Sequence, residues 1–111
     1  MPRDPGLEEL IQSALAHVRG LTEKSMFGGR AWLLHGNLLL GARRGSLLLR
    51  VGKESEAWAT AIPGVATAIM GGRPMSGWVR ATPEAYGNDA LRQQLIDAAL
   101  HFTGSLPKKK L

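Results

Sequence analysis

The stretch WLLHGNLLLGARRGSLLLRV, residues 32–51, contains three short apolar runs separated by two clusters of turn-forming residues. Each run has the length of a strand and is too short for an amphipathic helix. Gly36-Asn37 divides the first pair and Arg43-Arg44-Gly45 the second. Apolar runs joined by so few turn residues fold back on one another as an antiparallel meander. The expected strands are residues 31–35, 38–42 and 46–51. A short edge segment around residues 24–27 joins or precedes them.

A two-residue loop at Gly36-Asn37 fixes a register. It sets His35 opposite Leu38, Leu34 opposite Leu39 and Trp32 opposite Gly41. One face then carries Leu33, Leu38, Leu40 and Ala42; the other carries Trp32, Leu34, Leu39 and Gly41. Both faces are apolar, whereas a half-buried antiparallel sheet usually alternates. Leu47, Leu48 and Leu49 are consecutive, so no change in the next loop makes a face polar. Helices cover one face. Trp32, Leu34 and Leu39 form the candidate self-association face, the alternative being helices wrapped over both sides.

The flanks read as helices. Asp4-Pro5 is a start signal, followed by Leu7, Leu10, Ile11, Ala14 and Val18 at helical spacing, which predicts a helix over 5–19 ended by Gly20. Residues 53–61 form a shorter helix stopped by Pro63-Gly64. Strands follow at 65–70 and 77–81 around GGRPMS. Residues 83–86 make a turn or one helical turn. Asn88 or Asp89 caps a last helix with Leu91, Leu95, Ala98 or Ala99, and Phe102 on its apolar stripe, ended by Gly104. Strands cluster instead of alternating with helices, so the fold class is α+β.

With 111 residues, 44% of them hydrophobic, the chain suits one domain with a core of its own. The net charge of +5 is largely a terminal property: Lys108, Lys109 and Lys110 supply three of the 14 cations that face 9 carboxylates. No signal-like or membrane-length apolar run occurs, which gives a cytoplasmic expectation with no membrane partner.

The chain has no cysteine, which removes disulfides, thiolate catalysis and cysteine-ligated zinc. FGGRAWLL has no Lys-Ser or Lys-Thr after its glycines and runs into a strand, so it is no phosphate loop. Gly28-Gly29 and Gly71-Gly72 read as bends or close approaches at strand ends. His17, His35 and His101 lack metal-ligand spacing, and Ser25, Ser46 and Ser76 lack a nucleophile context. Arg30 and Arg73 can pair with carboxylates such as Glu23 or Glu54. Arg43 and Arg44 at a hairpin tip can contact phosphates, with Trp32 and Trp78 as stacking surfaces.

Several segments in this order resemble the TfoX N-terminal domain family, also called TfoX/Sxy. They are Met26-Phe27-Gly28-Gly29, the glycine-turn hairpin, LLLRVG with Arg50, Gly72-Arg73-Pro74 through Trp78, and the closing helix with SLPKK. The resemblance runs from Leu7 to Lys109. It implies a two-layer, secretion-chaperone-like fold with an antiparallel sheet and the order α-β-β-β-α-β-β-α, the order read above. It also implies a link to regulation of natural competence, where fuller members are transcriptional co-activators with an additional C-terminal domain. The expectation here is a stand-alone domain at 1–107 and a basic tail at 108–111. Gly52 stands where relatives often place an acidic residue. No catalytic residue, cofactor or metal is implied.

The sequence therefore predicts a non-enzymatic regulatory or interaction domain whose partner is a protein, a second copy included. The alternative is direct nucleic-acid binding through Arg43, Arg44, Lys108, Lys109 and Lys110.

Overall fold

A computed structural model describes residues 4–26 and 28–108. Helix α1 spans Pro5–Ala14 and starts as the sequence dictates: the Asp4 carboxylate accepts the Leu7 amide at 3.1 Å, and proline occupies the first turn. The helix is shorter than the apolar spacing predicts. Beyond Ala14 the chain tightens into turns, with the Val18 amide bonded to the Leu15 carbonyl at 3.0 Å. Leu15 and Val18 still reach the core from those turns, so their spacing does not require a helix.

Four strands follow: β1 (Leu21–Met26), β2 (Gly29–Leu34), β3 (Asn37–Arg43) and β4 (Ser46–Arg50). The edge segment expected near residues 24–27 is a full strand, so the meander has four strands and not three. A 3-10 turn at Lys53–Ser55 leads into α2 (Glu56–Thr60). Strands β5 (Val65–Met70) and β6 (Arg73–Ala81) form a hairpin, and α3 (Pro83–Tyr86) and α4 (Asp89–Gly104) close the chain. Asn88 caps α4 by accepting the Leu91 amide at 3.0 Å. The six strands form one antiparallel sheet in the order β1-β2-β3-β4-β6-β5.

Strand β6 begins earlier than predicted, at Arg73, and includes Pro74. Pro74 pairs only with Ile69, because β4 meets β6 no further than Trp78. On that unpaired side a missing amide costs no ladder bond.

The β2–β3 turn lies one residue earlier than predicted. His35 and Gly36 occupy it, with φ of 52° and 83°, as a tight hairpin turn of the primed kind requires. Two contacts to Gly20 hold His35 there: its amide bonds the Gly20 carbonyl at 2.9 Å, and its ring fills the space a Gly20 side chain would need. Leu34 consequently faces Asn37, not Leu39. A bulge opposite Trp32 and Leu33 then makes Leu39 an extra residue, and both Leu39 and Leu40 enter the core.

The predicted face assignments change accordingly. Trp32, Leu34, Leu39, Leu40, Ala42, Leu47, Leu49, Val79 and Ala81 pack with α1, α3 and α4 in one core. All the helices contribute to this side, giving two layers. Trp32 is 1% exposed, Leu34 5% and Leu39 0%. The candidate self-association face is therefore the interior of the folded chain. The opposite side of the sheet carries Ala31, Leu33, Leu38, Gly41 and Leu48.

Candidate functional site

Register places four cations on the side of the sheet away from the helices. Lys24 pairs with Ala31, Ala31 with Gly41, Gly41 with Leu48, and Leu48 with Arg80. Arg43 sits at the end of β3 opposite Ser46, and Arg50 at the end of β4 opposite Trp78. Among the described residues the only carboxylate in any strand is Glu23. It lies on the helix side, 3.2 Å from Arg30, and Gln12 also reaches it. Arg30 further approaches the buried Glu8 at 3.8 Å. The expected Arg30–Glu23 pair thus forms, whereas no described ion pair involves Arg73.

Arg43 and Arg80 come together because β3, β4 and β6 are neighbours. With Met26, Gly41 and Leu48 they border a hollow of about 10 Å3, room for a water and little more. Arg80 donates to the Ser46 hydroxyl at 2.9 Å. Burial, and then the charge of Arg43, hold its guanidinium below the ordinary arginine value. No described carboxylate lies within ion-pair distance of either arginine. Two cations kept within mutual range and left uncompensated attract an anion.

At the other end of β4 the Arg50 guanidinium lies 5.1 Å from the Trp78 ring centre and 5.9 Å from that of Phe102. Both are cation–π distances. Burial lowers the Arg50 pKa. The backbone beside it is tightly drawn: the Val51 and Gly52 amides both bond the Gly77 carbonyl at 3.0 Å. The Glu56 carboxylate completes this junction by accepting the Gly77 amide and the Thr67 hydroxyl, each at 2.7 Å. Those two bonds, with a smaller contribution from Lys53, hold it below the usual carboxylate range against the opposing effect of desolvation.

The other expected residues are distributed as follows. Arg44 is exposed in the β3–β4 turn, and Lys108 is exposed beyond α4. Phe27, Lys109 and Lys110 lie outside the described residues. Met26 ends β1, Gly28 turns the chain with φ 75°, and Gly29 packs so closely that an added Cβ would strike the Ala42 carbonyl. Gly72 and Arg73 are at the exposed tip of the β5–β6 hairpin, with Pro74 beside them. Trp78 is on the open face; Trp32 is not, so the two tryptophans do not form one stacking surface. Nothing local in the sequence marks Lys24, Arg80, Lys53 or Phe102 as part of a site, since only strand pairing and helix docking bring them to these places. Among the described residues no group of three His, Asp or Glu could hold a metal ion, and no helix is long and apolar enough to cross a membrane.

The pieces that converge at Arg50 and Trp78, and the tight glycine after Met26, are the segments quoted for the family resemblance. The model of the TfoX N-terminal domain family matches residues 13–103. The chain belongs to this family. No curated protein and no solved structure matches it. Membership makes the protein a non-enzymatic domain resembling the TfoX/Sxy regulatory N-terminal domain. The match covers α1 from Ser13 through nearly all of α4, and so includes both clusters of the open face.

Proposed function

We propose that this TfoX N-terminal domain is a regulatory interaction module whose working surface is the open face of its sheet, and that the partner presents an acidic protein surface. The observation that carries the reading is the charge of that face: Lys24, Arg43, Arg50 and Arg80, while the one carboxylate in the described strands, Glu23, points to the helix side. The partly exposed Leu38 and Met26 between the cations add apolar contact area. A two-fold homodimer through this face would set one copy's cations against the other's, which argues for a different protein as partner. The family resemblance supports a cytoplasmic role in competence regulation and a secretion-chaperone-like fold.

The second reading, direct nucleic-acid binding, draws on the same Arg43–Arg80 pair with Arg44 at the turn. Fluorescence anisotropy against duplex and single-stranded DNA at two salt concentrations separates the two. It uses the full chain, a version ending at Pro107, and the double variant Arg43→Glu with Arg80→Glu. The protein-partner reading expects weak DNA binding that disappears with the tail. Salt-steep binding that survives truncation and is lost in the double variant would replace it with the nucleic-acid reading.

A further inference from the structure

We propose that the cleft where β4 leaves the sheet binds a nucleotide, with its phosphate on Arg50 and Lys53 and its base against Phe102. This site lies apart from the Arg43–Arg80 pair, shares only Arg50 with the cations of the open face, and does not require the reading of that face. Two hollows meet there, of about 190 Å3 and about 350 Å3, both lined by Gly52, Lys53 and Phe102. The smaller also reaches Arg50 and Trp78; the larger reaches Glu54, His101, Val51, Ser55 and Ser105.

Arg50 is prepared for an anion. Two rings flank its guanidinium, yet among the described residues it makes no ion pair and no side-chain hydrogen bond. A guanidinium steadied by rings retains a fork of N–H donors that matches a phosphate or carboxylate. Lys53 adds an exposed second cation. The nearby Glu56 carboxylate is bonded by Gly77 and Thr67 and acts on Lys53 only through its charge, and no described ion pair involves Lys53. One arginine and one lysine suit a doubly charged phosphate better than a single carboxylate.

The remaining space is too large for phosphate alone. The larger hollow alone, at about 350 Å3, falls at the lower end of ordinary small-molecule pockets. Its half-buried Phe102 ring offers a planar apolar contact, and Glu54 and His101 offer polar groups to a base edge. Gly52 keeps the hollow and the ring in register: at φ 89° it holds a conformation that side chains rarely adopt, and a Cβ there would enter the Phe102 ring.

The test is an amide and indole NMR titration of the full chain with AMP at low salt, with adenosine and inorganic phosphate alongside. AMP is expected to shift Lys53, Gly77 and the Trp78 indole at lower concentration than either control. Arg50→Gln and Lys53→Gln should each weaken AMP about tenfold while the rest of the spectrum stays native. Lys53 is exposed, so its variant carries the test if Arg50→Gln fails to fold. A 5′-phosphorylated oligonucleotide that competes where its 5′-hydroxyl counterpart does not would assign the ligand to a strand end; competition by AMP alone would assign it to a free nucleotide. The proposal fails if millimolar AMP leaves these signals unmoved, if the double variant binds AMP as well as the native chain, or if inorganic phosphate binds as tightly as AMP.

Discussion

Arg50 and Trp78 are direct partners across the β4–β6 ladder, and the guanidinium stacks 5.1 Å from the indole centre. The contact joins the meander to the hairpin at the last residue pair the two share. A half-exposed cation–π pair of this kind contributes about 0.5–1 kcal/mol. Arg50→Ala should therefore lower stability by about that amount or somewhat more, since Phe102 loses its neighbour too. A double-mutant cycle with Trp78→Ala, followed by urea unfolding, measures the coupling. Additive single effects would remove the stacking from the account.

Tryptophan position separates core from surface. Trp32 is 1% exposed, and its replacement by alanine should cost about 3–5 kcal/mol through lost burial and a residual cavity. Trp58 is 43% exposed, and the same replacement should change stability by no more than about 0.5 kcal/mol. Urea midpoints of the two variants decide this. A mild effect at Trp32 would contradict the assignment of the helix-covered side as the core.

Two glycines in neighbouring strands should respond oppositely to a methyl group. At Gly29 the new Cβ meets the Ala42 carbonyl and the Arg43 Cβ, so Gly29→Ala should lose about 1–3 kcal/mol. At Gly41 the nearest atom is the Arg30 carbonyl oxygen at 3.7 Å, and the backbone is not left-handed. Gly41→Ala should be neutral or stabilising by up to about 1 kcal/mol. Thermal unfolding of both variants checks the pair.

Acid should loosen the junction of α2 with the β5–β6 hairpin. The folded state holds the Glu56 carboxylate below its ordinary pKa, chiefly through the Gly77 amide and then the Thr67 hydroxyl. The unfolded chain therefore takes up the proton first as pH falls. The stabilisation is complete above the unfolded carboxylate value and is lost as pH drops through it toward the folded value. Glu56→Gln should be less stable than the native chain at neutral pH, and the gap should close in acid. Unfolding midpoints across that range test this; a gap independent of pH would exclude the carboxylate as its source.

Local chemistry made part of this fold legible in the sequence. Asp4 and Asn88 announce the two long helices because each caps through its own side chain within three residues. Residues 65–70 were readable because Pro63-Gly64 and Gly71-Gly72 punctuate both ends. The sheet register was not readable. Consecutive leucines give alternation no phase, so nothing local marks Leu39 as the bulged residue. The turn position depends on His35 packing over Gly20, a contact between distant segments. The site divides in the same way. Arg43, Arg50 and Trp78 stand out in the chain, but Arg80 joins Arg43, and Phe102 joins Arg50, only once β4 has β6 beside it and α4 across it.

With every helix on one side of the sheet, each strand serves two masters in alternation. Along β6, Val79 and Ala81 are held by the interior, while Trp78 and Arg80 face the open side and touch strand neighbours there, Arg50 and Ser46. Changes at the second set leave the first undisturbed. A lineage of such domains could thus exchange one recognition surface for another in steps of two residues, without passing through an unfolded ancestor.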